Sequence, residues 1–234
     1  MRLIRPASSI YGIYSLDHFN PLESIELAGR TCYKSEDNIR PGTAEEFVKM
    51  VIKRGHESVI EHSSMTVKFI CDRGVTHELV RHRLCAFSQE STRYCNYKGG
   101  TTFIIPFWLD LEVGEWIRVK NYILPNSKEP VNNLVNKYGN EVVQKWLNIL
   151  MESEITYQYL LDEGWSPQQA RSVLPNSLKT EIVVTANFRE WRHIFKLRCS
   201  RAAHPQIREV MIPVLLDVQR RVPILFDDLV EEVK

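Results

Sequence analysis

The chain has 234 residues, 44% of them apolar and 25% charged, with 30 Lys and Arg against 29 Asp and Glu. That balance predicts a single compact domain over residues 1–234 and excludes a disordered or fibrous chain. It also excludes a global electrostatic pull toward nucleic acid or an anionic membrane, so any anion site has to be local. Five cysteines, Cys32, Cys71, Cys85, Cys95 and Cys199, form no C-x-x-C pair, which predicts neither a disulfide framework nor a zinc ribbon. The opening MRLIRPASSIYG lacks a signal-type apolar segment, and no stretch approaches the roughly 18 apolar residues of a membrane span. The expectation is a cytoplasmic, soluble protein.

Asn20 followed by Pro21 predicts an N-cap and first turn opening a helix to about Tyr33. Thr43 with Glu46 predicts a capping box for a second helix that Gly55 closes. From Ser64 the chain alternates, with Met65, Val67, Phe69 and Cys71 on one face of a half-buried strand that Asp72 to Gly74 break. A helix is then expected from Val75 to about Phe87, and an extended run at 101–107. A long helix is expected from about Gly139 to Asp162, ending at Gly164. Ser166 and Pro167 open a short helix ended before Pro175, TEIVVTANF reads as a strand, and helices follow near 188–199 and 205–221. Strands mixed with helices predict α/β or α+β packing, with a mixed sheet flanked by helices.

The triplet Arg81-His82-Arg83 falls inside the helix expected at 75–87. Each residue advances a helix by about 100°, so the three fan around it and Arg83 lands within the apolar arc of Val75, Leu79 and Phe87. A buried guanidinium needs a carboxylate, a carbonyl cluster or an anionic ligand. An internal ion pair is one answer, with Glu78 bonded to His82 at i, i+4; phosphate is the other, because arginine's fork suits it. Gln89, Ser91 and Arg93 follow, a density of anion-binding groups beyond structural need.

Downstream, Arg171, Asn187, Arg189, His193, Arg198 and Arg201 form a second concentration, and strand ends before helices are favoured ligand positions. Arg198 shares a helical stripe with Trp191, Ile194 and Phe195. A third element, GHESVIEH at 55–62, lacks the histidine spacing of zincins, so no metal is predicted.

At these residues the sequence resembles the flavin-dependent thymidylate synthase family. The motif is R-H-R, seven residues, then Ser, met here by Arg81-His82-Arg83, LCAFSQE and Ser91. GHE with EH upstream, Arg93-Tyr94, ARSVLP at 170–175, TANFREW at 185–191 and KLRCS at 196–200 extend the match over roughly residues 20–220. The resemblance implies the family's α/β fold and a homotetramer binding FAD and dUMP where subunits meet. It also implies formation of dTMP with 5,10-methylenetetrahydrofolate and NADPH, without a cysteine nucleophile on uracil. The absence of G-x-G-x-x-G and of a P-loop fits a fold that is not Rossmann.

Carried over by position, the resemblance puts Glu78, Arg81, Gln89, Glu90, Ser91, Thr92, Arg93, Arg171 and Arg198 at dUMP. It puts His56, Ser58, Arg81, His82, Arg83, Gln89, Asn187, Arg189 and His193 at FAD, with His56 also near folate. Ser91 and Arg198 are the expected catalytic pair, Arg198 favouring the N3-ionised uracil whose C5 accepts carbon. The common motif carries Ser, Asn and Glu where this chain has Ala86, Ser88 and Gln89, and Gln where it has Glu78. These two carboxylate changes are expected to compensate. The segment CSRAAHPQ at 199–206 is longer than usual and leaves His204 without an assigned role. The competing readings are a nucleotide- or RNA-binding module without redox chemistry, and a metal-dependent hydrolase or deaminase.

Overall fold

A computed structural model describes residues 1–16 and 19–231. Its strands are β1 (Arg2–Ile4), β2 (Ala7–Tyr14), β3 (Ser64–Asp72), β4 (Ala86–Gln89), β5 (Thr102–Ile104), β6 (Gly114–Val119), β7 (Tyr122–Pro125) and β8 (Lys179–Asn187). Its helices are α1 (Pro21–Tyr33), α2 (Thr43–Lys53), α3 (Arg73–Leu79), α4 (Val131–Tyr138), α5 (Glu141–Asp162), α6 (Pro167–Ala170), α7 (Phe188–Arg198), α8 (Pro205–Arg221) and α9 (Pro223–Glu231). The fold is mixed α/β, as expected, with two four-stranded sheets and helices against them. No helix among the described residues is long and apolar enough to cross a membrane.

The chain divides into two compact units, one of residues 1–7, 70–77 and 89–181, the other of residues 8–69, 78–88 and from 182 onward. In the first, the sheet runs β5-β1-β6-β7, with β1 parallel to β5, antiparallel to β6, and β6 antiparallel to β7. Leu3, Phe103, Trp116 and Ile123 from this sheet pack with Leu147 and Leu150 of α5 into a buried core. Gln144 of α5 is buried there with its amide satisfied: its Oε1 accepts from the Ile123 amide at 2.8 Å, and its Nε2 donates to the Ile123 and Tyr138 carbonyls. A buried amide left without those partners would be costly, so the side chain fixes α5 against β7.

The second unit carries the sheet order β2-β3-β8-β4. Alternation, strict only on β8, buries Met65, Val67 and Phe69 on one face of β3 and Ile182, Val184 and Ala186 on β8. Trp191 of α7 donates its indole N–H to the Met65 carbonyl at 2.9 Å and stacks on Phe195, which meets Phe226 of α9 edge-on. α1 opens as predicted: Asn20 accepts from the Leu22 and Glu23 amides, and Glu23 returns a bond to the Asn20 amide. α2 closes as predicted too, on Gly55 at φ 70°, with the Gly55 and His56 amides bonded to the Ile52 and Val51 carbonyls.

Two expected starts are corrected. Thr43 is the first residue of α2 rather than its cap; its hydroxyl donates to the Arg40 carbonyl and to Glu26, while Glu46 pairs with Lys49, so no capping box forms. The strand ends at Asp72 as expected, but α3 starts at Arg73 rather than Val75, with Asp72 Oδ1 accepting the Val75 amide at 2.8 Å. α3 ends at Leu79, not Phe87, because Ala86 to Gln89 enter the sheet beside β8. The Arg81-His82-Arg83 triplet therefore lies on a turn, not a helix.

Candidate functional site

In the second unit, β8 ends on Asn187, whose side chain accepts the Glu190 amide at 2.9 Å and caps α7. The apolar stripe of α7 then carries the chain through buried Trp191, Ile194 and Phe195 to Arg198, half-buried as its position on that stripe predicts. Arg198 is gripped at three points. Its Nη1 donates to Glu78 Oε2 at 2.7 Å, its Nη2 to the Glu78 carbonyl at 3.0 Å, and its Nε to His82 Nε2 at 2.9 Å. Guanidinium has no acceptor, so His82 Nε2 must hold a lone pair and the imidazole proton sits on Nδ1. That nitrogen faces Glu190 Oε1 at 3.6 Å.

His82 is buried, and burial, followed by the charges of Arg198 and His193, pushes its pKa down to about 4. It is a neutral hydrogen-bonding imidazole at neutral pH. Glu190 is buried as well, and burial raises its carboxyl above the usual range against the opposing pull of His193. The expected Glu78–His82 bond is replaced: Glu78 binds Arg198, so this one arginine is matched by an acid of its own chain.

Arg81 and Arg83 behave differently. Both are exposed, and among the described residues neither guanidinium has an ion pair or side-chain hydrogen bond. The expectation that Arg83 is buried in an apolar arc fails because that arc required a helix through residue 87. Leu84, beside it, is 76% exposed, so the turn puts an apolar side chain and two guanidinium groups into solvent together.

A cavity of about 590 Å³ opens beside α7. Of the predicted residues, Asn187, Arg189 and His193 line it. Arg189 reaches Glu61 at 2.6 Å, and Arg192, buried, is held by Asp228 at 2.5 Å. His56 and Ser58 lie outside the lining, exposed, with His56 Nδ1 2.9 Å from the Tyr33 hydroxyl. Glu57, Glu61, Glu190, Arg192 and Lys196 line the cavity without having been singled out as site residues. The signal was present: Arg189, Arg192, His193 and Lys196 repeat at i, i+3, i+4 and i+7, a polar stripe on the same helix as the apolar one.

The first unit holds the other predicted set. Gln89 Nε2 donates to the hydroxyls of Thr76 and Thr180 at 3.0 and 3.3 Å. Glu90 is neutralised by Lys179 at 2.9 Å and accepts the Tyr97 hydroxyl at 2.8 Å. Ser91 turns the chain, its carbonyl accepting the Tyr94 and Cys95 amides and its Oγ the Arg93 amide. Arg171 donates to buried Thr92 at 3.1 Å, and Arg93 lies over the Tyr94 ring at 5.4 Å. Neither arginine has an acidic partner among the described residues, so this loop is locally cationic and suited to an anion.

His82, Glu190 and His193 place possible ligand atoms within 4.8 Å of one another. A metal on His82 Nδ1 would move the imidazole proton to Nε2, where it would oppose the Arg198 N–H, so the trio is better suited to hydrogen bonding than to ligation. Three of the cysteines are disfavoured as thiolates: burial pushes Cys85 and Cys199 up to about 12 and Cys71 higher still.

The family described as thymidylate synthase complementing protein matches residues 16–224. A flavin-dependent thymidylate synthase of Corynebacterium efficiens is 35% identical over 208 residues, covering 87% of this chain and 78% of that protein. Another from Corynebacterium glutamicum is 33% identical over 211 residues, with the same coverage of each chain. One from Pyrococcus furiosus is 31% identical over 208 residues, 86% of this chain and 75% of that protein. Among solved structures, the UMP/dUMP methylase PolB of Streptomyces cacaoi, bound with 5-Br dUMP, has the same fold, with a TM-score of 0.72 at 23% identity, covering 97% of this chain and 96% of that one.

Proposed function

We propose that this chain, which belongs to the thymidylate synthase complementing protein family, that of the flavin-dependent thymidylate synthases, converts dUMP to dTMP. The one-carbon unit of 5,10-methylenetetrahydrofolate is transferred to C5 of the uracil, tetrahydrofolate is released, and NADPH is the electron source. FAD, when bound, supplies the hydride that completes the methyl group.

The observation that carries this reading is the fixing of Arg198 by three hydrogen bonds that use three of its five N–H donors. Two donors and a positive charge in a set orientation remain for a pyrimidine, where they favour the electron-rich N3-ionised form. Pairing with Glu78 lowers the net charge delivered but pins its direction. Ser91, Thr92, Arg93 and Arg171, with Arg81 and Gln89, are the groups for the nucleotide and its phosphate.

For FAD, the residues of the second unit fit. Arg189, His193 and Lys196 supply cationic or N–H groups to the cavity, together with Asn187. Arg189 is held only by half-exposed acids, so exchanging Glu61 for a diphosphate costs little. Arg81 and Arg83 hold no partner that a phosphate would have to displace. His56, Ser58 and His82 complete the set. The chain is proposed to act in the cytoplasm as a homotetramer in which residues of more than one subunit complete each site. Raised thiol pKa values make Cys71, Cys85 and Cys199 poor nucleophiles, in keeping with a reaction that uses no cysteine on uracil.

Purified enzyme given dUMP and NADPH is expected to form dTMP only when 5,10-methylenetetrahydrofolate is also present. Ser91→Ala and Arg198→Ala are expected to lower kcat/KM for dUMP by roughly tenfold or more while leaving the far-UV spectrum unchanged. Full turnover in both variants with dUMP below its KM rejects the assignment of residues.

A further inference from the structure

We infer that Glu190 is a positioning residue that orients Arg198 through His82. The inference rests on the proposed thymidylate synthase reaction but concerns a carboxylate to which that reading gives no role. Glu190 sits in the first turn of α7 and Arg198 in the last, and the imidazole of His82, brought in by the turn after α3, bridges them. The Glu190 side chain is 9% exposed and, among the described residues, makes no hydrogen bond. It lines the cavity beside α7, where water can solvate it, so what recommends it is the use its charge has at His82.

That use follows from the imidazole's two nitrogens. Negative charge 3.6 Å from Nδ1 favours the proton on that atom. The lone pair is then left on Nε2, where Arg198 Nε–H needs an acceptor. With the opposite tautomer, two N–H groups would confront each other and Arg198 would lose one of its three holds. Glu78 grips the other edge of the guanidinium and would keep the arginine nearby but not aligned. The groups facing His82 are Arg198, Glu190 and His193, all from α7. Of these, only Glu190 bears negative charge.

Misalignment of a group that acts in the transition state lowers kcat more than it raises KM. The test uses the intact, FAD-loaded enzyme, with Glu190→Gln as the isosteric variant and Glu190→Ala as the truncation. ¹⁵N-histidine spectra report the His82 tautomer, assigned by the signal lost in His82→Gln, and kcat and the KM for dUMP are measured per bound flavin. Wild type is expected to show the Nδ1–H form. Glu190→Ala is expected to show a mixture of tautomers and at least a roughly tenfold fall in kcat with KM changed less than about threefold, and Glu190→Gln an intermediate kcat. An Nε2–H wild type, an unmoved tautomer in Glu190→Ala, or unchanged kcat despite a moved tautomer each overturns the inference. A wild-type enzyme that makes no dTMP at all defeats the functional reading instead, and the tautomer spectra still judge the relay.

Discussion

Gln89 donates its amide to two threonine hydroxyls, and one of them, Thr76, already gives its own proton to the Arg73 carbonyl at 3.0 Å. Thr76 can therefore only accept. A carboxylate at position 89 would set lone pairs against lone pairs beside a fully buried threonine. Glu78, by contrast, contacts an arginine and not a threonine. Glu78 supplies the acid that pairs Arg198, while residue 89 follows the polarity of its own neighbours; the expected compensation of the two changes is tested by a double-mutant cycle on Glu78→Gln and Gln89→Glu. Gln89→Glu is expected to lower stability by about 1–3 kcal/mol, read as a lower urea midpoint at unchanged m-value.

His82 gives a pH dependence of definite sign. Its pKa falls from an ordinary 6.5 to about 4 on folding, so between those values the unfolded chain binds the proton and the folded one does not. The stability tied to its neutral form is fully present above about pH 6.5 and is lost as pH falls toward about 4. His82→Gln, which keeps a hydrogen-bond acceptor without a titrating ring, is expected to flatten the slope of unfolding free energy against pH in that window. An unchanged slope would show that another group carries it. The sequence showed that the triplet was unusual but not which member was buried. That depended on where α3 stops, and a difference of about two turns there exchanged buried His82 with exposed Arg83.

At the scale of elements, Gly29 separates propensity from packing. An alanine in mid-helix normally gains about 1 kcal/mol over glycine. In α1, however, a Cβ at residue 29 would come within 2.5 Å of the Phe47 ring and 2.7 Å of Val59, where ordinary contacts are far longer. The Gly is there so that α1 can approach α2 and the turn at Val59. Gly29→Ala is expected to destabilise by about 1–3 kcal/mol, and thermal unfolding at a higher temperature than wild type would contradict that reading.

The elements most legible in the sequence were those whose ends carry side-chain chemistry. α1 had Asn20 and Glu23, and α8 ran over Pro205–Arg221 as predicted. The β6–β7 hairpin was not anticipated because its two-residue turn is Lys120-Asn121, with Lys120 at φ 55° where glycine would have announced it. α9 was missed for a different reason. It is nine residues long, and its tie to α7 through Arg192 and Asp228 is a contact between distant positions that no local pattern displays. The cavity-lining acids Glu57 and Glu61 were given no partner in the sequence, since Arg189 is 128 residues from Glu61.

On the scale of the whole molecule, a near-neutral chain places its unpaired cations locally. Arg81 and Arg83 belong to one unit and Arg93 and Arg171 to the other. Arg198 instead is matched by an acid of its own chain, which explains how its direction can be fixed before substrate arrives. The overall reaction requires one NADPH for each dTMP. The most direct measurement is therefore the ratio of dTMP formed to NADPH consumed, taken without oxygen, on enzyme stripped of FAD and then reconstituted with it. Obligate hydride transfer through FAD predicts no dTMP before reconstitution and, after it, a ratio of about one that depends on both dUMP and 5,10-methylenetetrahydrofolate. Formation of dTMP by the stripped enzyme, or NADPH consumption by the reconstituted enzyme with no dTMP, would contradict it.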